Sequence, residues 1–194
     1  MSDSENTEFG RRLAVHTAPT LLGIKCGSLI SLPVDEFDID AQSRQFNRKA
    51  LSKGLKMRVM RKHGGRALVL LYNERQLARR LSLPEVRKIL GSRGYRSAAG
   101  TAQHLDRLCA RMERRRFPHE IGVFLGYPAE DVEGFITNKG ENYKLCGCWK
   151  VYGNAEKARR TFESYDRCRE LLCGRLNAGA DIYQALSIFK EEFL

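Results

Sequence analysis

The sequence predicts an α+β fold: a helix-rich single domain spanning residues 1–194, with a small sheet. Residues 55–72 carry a hairpin pattern, in which Leu55, Met57 and Val59 alternate with Lys56 and Arg58, and residues 67–72 form a continuous apolar run. Lys62-His63-Gly64-Gly65 lies between the two halves and can make the turn. Elsewhere the apolar spacing is helical and is punctuated by first-turn prolines, capping residues and terminal glycines. With 42% apolar residues, the 194-residue chain can bury a core of its own.

The polar residues 1–7 read as a disordered tail. Phe9, Leu13 and His16 recur at helical spacing, so a helix is predicted over about residues 5–17, stopped by Pro19. Residues 22–32 are apolar and contain Gly23 and Gly27, which suits a buried strand or tight loop. A helix over 41–53 ends at Gly54, and the hairpin follows with its second strand the more buried. Helices are then predicted at 74–81, at 84–92 with Pro84 in the first turn, and at 101–115 with Thr101 as N-cap. Pro118 and Pro128 each open a short helix, the first ending at Gly126 and the second near Lys139-Gly140. Residues 144–152 read as a strand, with Leu145, Gly147, Trp149 and Val151 on one face and Cys146, Cys148, Lys150 and Tyr152 on the other. Asn154 caps a long helix, and a last helix runs over 181–193.

Net charge is +11, unevenly distributed. Residues 1–43 carry a net of −4, residues 44–116 a net of +17, and residues 117–194 a net of −2. So basic a middle segment disfavours compaction unless its charges spread over a surface or meet an anionic partner. No apolar run approaches the roughly 20 residues of a membrane span. The first residues are acidic where a secretion signal is basic, so a cytoplasmic location is expected. The six cysteines then read as reduced thiols. Cys146-x-Cys148 and Cys168-x4-Cys173 are not zinc-knuckle spacings, and the four histidines are scattered, so no metal site is expected. The usual nucleotide, dinucleotide, metalloprotease and esterase motifs do not occur.

The richest stretch is FPHEIGVFLGYPAEDVEGFITNKGENYKLCGCWKVYG, residues 117–153. It holds one histidine, two cysteines, the chain's one tryptophan, three lysines and six glycines. His119 follows Pro118 at a predicted helix start, where unpaired N–H groups and the positive dipole end favour neutral imidazole, suiting acid–base work or anion contact. Its bland counterpart is a first turn completed by His119 and Glu120. Cys146 and Cys148, flanked by Lys144 and Lys150, could be activated thiols, or small buried apolar residues. Lys139, Asn142, Tyr143 and Lys144 form a polar segment able to close over an anion, with Trp149 and Lys150 following; a helix C-cap also explains Lys139-Gly140.

This stretch, with HTAPTLLGIKCGSLISL near the N-terminus, resembles the bacterial family called domain of unknown function 3793, seen mostly in anaerobic, clostridia-like organisms. The resemblance covers most of the chain and implies no activity. It also implies an aromatic residue at the position of Cys148 in many members, which makes Cys146 the stronger thiol candidate.

Three functions are compatible with these features. The leading one is a pocket within 117–153 that binds an anionic small molecule or cofactor, with Lys139, Lys144 and Lys150 as counter-charges, and with His119 and Cys146 as residues that would serve if a reaction is catalysed. The second is nucleic-acid binding by Arg58, Arg61, Lys62, Arg66, Arg107, Arg111, Arg114 and Arg115. Against it, Phe46, Tyr72 and Tyr95 are the only aromatic residues in 44–116, too few for base stacking. The third is docking on an acidic protein such as a redox carrier. The identity of a cofactor and the oligomeric state are not legible in the sequence.

Overall fold

A computed structural model describes residues 3–114 and 117–187. Among the described residues the fold is helix-rich α+β, with a three-stranded antiparallel sheet and a separate two-stranded hairpin. The chain divides into two compact units, Met1–Asn73 with Ser164–Leu194, and Glu74–Glu163. No described helix is long and apolar enough to cross a membrane.

The first unit is built on the sheet, ordered β1 (Gly27–Pro33), β3 (Arg66–Asn73), β2 (Leu55–His63). Gly64 and Gly65 both have positive φ, 56° and 72°, the conformation that a two-residue hairpin turn between right-twisted strands requires. The predicted hairpin is therefore present, with β3 as the central, most buried strand. A β-bulge between Val59 and Arg61 tucks Met60 inward and interrupts the simple alternation of β2. The edge strand β2 is shielded by Asn47, whose side chain accepts from Met57 N–H at 2.6 Å and donates to Met57 C=O at 3.0 Å. Asn47 lies on α2 (Ile39–Lys49), capped by Asp38, whose Oδ1 accepts from Ala41 N–H at 3.0 Å.

Helix α1 spans Asp3–Leu21, covering residues 3–7 that composition assigns to a disordered tail and running through Pro19. Proline has no N–H, so the carbonyl of Val15, four residues earlier, loses its helical donor. Arg169 Nε supplies one instead at 3.1 Å. Arg169 lies on α8 (Ala155–Asn177), which Asn154 caps as expected, its Oδ1 accepting from Lys157 N–H at 2.9 Å. The core joins α1, α2, the sheet, and Cys168, Leu172, Ile182, Ala185 and Leu186 from α8 and α9 (Ile182–Ser187). The predicted continuation of α9 toward residue 193 lies outside the described residues.

The second unit is mainly helical: α3 (Glu74–Leu81), α4 (Pro84–Gly91), α5 (Thr101–Met112), α6 (Ile121–Phe124) and α7 (Ala129–Thr137). Gly100, not Thr101, is the N-cap of α5, and its N–H donates to Gln103 Oε1 at 3.2 Å. Arg80 donates from Nε to Val123 C=O at 2.9 Å and also reaches Tyr127 C=O, so α3 holds the α6–α7 connection. The strand predicted over 144–152 is a short hairpin instead, β4 (Leu145–Cys146) and β5 (Lys150–Val151), with residues 147–149 bending between them. The two faces expected from strict alternation therefore do not form.

Candidate functional site

Residues 117–153 all belong to the second unit. Pro118, His119 and Glu120 make a turn into α6, with Pro118 C=O accepting from Ile121 N–H at 3.1 Å and His119 C=O from Gly122 N–H at 3.3 Å. Glu120 is 2% exposed; its carboxylate takes an ion pair from Arg111 Nε and a hydrogen bond from Tyr95 O–H at 3.1 Å. His119 remains exposed, its ring centre 5.0 Å from that of Phe135. Glu120, which the sequence places in a first turn beside His119, is engaged in a buried ion pair.

Asp131 anchors the rest. It sits in the first turn of α7, 3% exposed, with both carboxylate oxygens engaged. Oδ2 accepts from the Trp149 indole N–H at 2.7 Å, and Oδ1 from the Tyr152 and Gly153 N–H groups at 2.7 and 2.8 Å. One carboxylate thereby ties the β4–β5 hairpin to α7. The Trp149 ring stacks on Tyr127 at 5.0 Å and meets Phe162 edge-on at 4.6 Å. Burial, with a smaller contribution from Cys148, pushes the Tyr127 phenol up to about 12.

These elements enclose a hollow of about 460 Å³. Phe117, Tyr127, Phe135 and Trp149 give it aromatic walls, Ile121 and Val132 aliphatic ones, and Gly122 and Gly147 bare backbone. His119, Asp131, Cys146 and Lys150 are its polar lining. Gly147 is required there, because a Cβ would overlap the Phe162 ring.

Of the residues the sequence points to, His119, Cys146, Trp149 and Lys150 meet at this hollow, while Lys139, Asn142, Tyr143 and Lys144 are outside its lining. Lys139 and Asn142 take left-handed backbone, φ 53° and 58°, beyond the end of α7, where Gly140 N–H donates to Phe135 C=O at 2.9 Å. The helix-capping explanation of Lys139-Gly140 thus accounts for that segment. Lys144 donates from Nζ to Gly153 C=O at 3.0 Å. The expected cluster of counter-charges reduces to Lys150, whose ammonium donates to Gly140 C=O at 2.7 Å and lies 4.7 Å from the centre of the Tyr143 ring. Cys146 and Cys148 are both exposed, not the buried apolar residues of the bland alternative.

Asp131, Tyr127, Phe117 and Phe135 line the hollow but were missed by sequence reasoning. The available signal was spacing: Asp131 and Phe135 fall at i and i+4 in a Pro128-initiated helix, on one face.

The basic residues are divided. Arg58, Arg61, Lys62 and Arg66 lie in the first unit; Arg107, Arg111 and Arg114 lie in the second. Arg115 falls outside the described residues. Lys62 pairs with Asp40 at 2.7 Å, and Arg66 binds Ser31 through its side-chain oxygen at 2.7 Å and its carbonyl at 2.8 Å. On α5, Leu105, Leu108 and Met112 are buried, and Arg111 turns to Glu120. That hydrogen bond, foremost, raises the Arg111 pKa, and burial first and the Glu120 charge second raise that of Tyr95. Among the described residues, no group of three or more His, Cys, Asp or Glu side chains could hold a metal ion.

Comparison with known proteins adds one match: the family model described as "Protein of unknown function (DUF3793)" covers residues 13–186. No curated protein and no solved structure matches the chain.

Proposed function

Because the chain belongs to this family of unknown function, its role has to be argued from the site, and we propose that the hollow binds a small organic molecule with a flat apolar body and one anionic end. The observation that carries the reading is the pairing of aromatic walls with a lysine and a histidine in one hollow of about 460 Å³. That volume falls within the roughly 300–1,000 Å³ of small-molecule pockets, which combine apolar walls with a few placed polar groups. Phe135, Tyr127 and Trp149 offer ring faces and edges to a planar ligand. A lysine ammonium carries three donors. Lys150 directs one to Gly140 C=O, leaving capacity for a carboxylate, sulfonate or phosphate. His119, exposed beside Phe135, supplies a second polar contact and is the acid–base candidate if a reaction takes place.

The same reading has the protein act in the cytoplasm of an anaerobic bacterium; none of its six cysteines is in a disulfide, which suits a reducing compartment. A nucleic-acid or acidic-protein partner has less support, because Lys62, Arg66 and Arg111 are already engaged within the protein.

Trp149 is the only tryptophan and forms part of the wall, so its fluorescence reports directly on the hollow. Titration with 1-anilinonaphthalene-8-sulfonate, an aromatic anion, is expected to give saturable quenching of Trp149. Phe135→Ala and Lys150→Met should each weaken it. A Trp149 signal that does not respond, or that responds in both variants as it does in the wild type, refutes the reading.

A further inference from the structure

We propose that Cys146 and Cys148 form a dithiol centre that exchanges with low-molecular-weight disulfides carrying an aromatic, anionic substituent. The substituent class rests on the ligand reading above; the thiol chemistry rests on separate observations.

Of the six cysteines, only Cys146 and Cys148 are exposed. Cys26 and Cys168 are buried, and Cys109 and Cys173 are half-buried. The exposed pair brackets Gly147 in a bend fixed from three directions. Trp149 is tied to Asp131 at 2.7 Å, Tyr127 O–H donates to Cys148 C=O at 3.3 Å, and Gly147 N–H donates to Trp149 C=O at 3.1 Å. In a fully extended strand, residues two apart are separated by about 6.6 Å, near the upper end of the roughly 4.4–6.8 Å that a disulfide spans. The chain bends over residues 147–149 and is not a fully extended strand there. Here the hairpin's departure from a continuous strand has a chemical use.

Position relative to the hollow supplies the rest. Cys146 lines it. Its cross-strand partner is Lys150, in a register that sets Cβ atoms about 4.5–5.5 Å apart. Lys150, whose ammonium is held at Gly140 C=O and the Tyr143 ring, also lines the hollow, where it can meet an anionic group on a docked disulfide. His119 lines the same hollow.

The reaction balances in two steps. The Cys146 thiolate attacks one sulfur of R–S–S–R′; a Cys146–S–S–R bond forms, the original S–S bond breaks, and R′S⁻ leaves. The Cys148 thiolate then attacks the Cys146 sulfur, forming the Cys146–Cys148 disulfide and expelling RS⁻. The protein dithiol is oxidised, the small disulfide is reduced to two thiols, and the two protons lost by the cysteines pass to the departing thiolates. His119 is the group on the rim able to relay one of them.

The test uses the full, reduced protein with one equivalent of 5,5′-dithiobis(2-nitrobenzoate), an aromatic disulfide bearing carboxylates. Two thionitrobenzoate anions should be released per protein. The tryptic peptide Leu145-Cys-Gly-Cys-Trp-Lys150 should become lighter by two hydrogens. Cys148→Ser should release one anion and retain a mixed disulfide on Cys146, and Cys146→Ser should lose the fast phase. Lys150→Met and Phe135→Ala should slow reaction with this reagent more than with 2-hydroxyethyl disulfide, which is neutral and has no ring. The proposal is overturned if label accumulates on Cys109 or Cys173 while both thiols of the peptide stay reduced, or if Cys148→Ser leaves the stoichiometry at two. Quenching of Trp149 by anilinonaphthalene sulfonate in the reduced wild type separates the two ideas. Intact binding without exchange in the wild type sinks the dithiol alone, whereas lost binding sinks the docking reading.

Discussion

Trp149 donates its indole N–H to Asp131 Oδ2 at 2.7 Å, and that contact decides where the β4–β5 hairpin sits. The other carboxylate oxygen holds the Tyr152 and Gly153 amides, so three donors depend on one buried side chain. Asp131→Ala would leave all three unsatisfied. Each orphaned buried donor costs about 1–3 kcal/mol, and partial hydration offsets some of this, so a loss of roughly 2–4 kcal/mol is expected. Urea denaturation followed by Trp149 emission measures it. The native emission should also shift to the red as the indole gains water. A midpoint equal to that of the wild type would show that the carboxylate does not hold the hairpin.

The Arg111–Glu120 pair makes a second prediction. Removing one partner of a buried ion pair costs about 3–5 kcal/mol, because the remaining charge loses its compensation. Arg111→Met should therefore be severely destabilising, since Glu120 is 2% exposed. The double variant Arg111→Met/Glu120→Leu should recover most of the loss. Denaturation midpoints of the two singles and the double form the cycle; purely additive losses would argue against coupling.

Tyr127 predicts a pH dependence on the alkaline side. An unfolded tyrosine ionises near 10, whereas Tyr127 in the folded protein keeps its proton to about 12, chiefly because burial opposes the phenolate. Between these values the folded state binds more protons than the unfolded one. Its contribution to stability is thus fully present below about pH 10 and is lost as pH rises toward 12. Thermal melts across this window, wild type against Tyr127→Phe, should converge as pH rises. A difference that stays constant would show that Tyr127 is not the titrating group.

Val15, Pro19 and Arg169 allow a test by substitution. Pro19→Ala restores a backbone donor for Val15 C=O, the carbonyl that Arg169 Nε now serves at 3.1 Å. Arg169→Met should cost about 0.5–1.5 kcal/mol in the wild type and markedly less in a Pro19→Ala background. Equal costs in both backgrounds would mean that the guanidinium contributes nothing through that carbonyl.

What was legible in the sequence was whatever local chemistry settles. Gly64-Gly65 marks the hairpin because only residues tolerant of positive φ fit there, and Asn154 is a cap because its side chain reaches Lys157 N–H within one turn. What was not legible depends on distant partners. Pro19 looks like a helix stop until Arg169, 150 positions later, supplies the missing donor. Glu120 looks like a surface charge until Arg111 and Tyr95 close over it. Alternation over 144–152 implies one strand, but Gly147 packs under the Phe162 ring and Trp149 is held by Asp131, and these contacts bend the chain. At the candidate site, every lining residue of the hollow comes from 117–153, the stretch densest in unusual residues. Which lysine lines the hollow was fixed by backbone geometry that charge counting does not see.

The core of the first unit draws on residues from both ends of the sequence: Phe9, Leu13 and the sheet on one side, Leu172, Ile182 and Leu186 on the other. During synthesis that interior has no means of sealing until the closing helices leave the ribosome, whereas Glu74–Glu163 is contiguous and already complete. The stretch made in the middle is therefore free to mature first, leaving the earliest strands and the first helix dependent on chaperones or on local pairing while they wait. Early termination just after Glu163 would release a chain whose second unit is finished and whose first still exposes apolar surface.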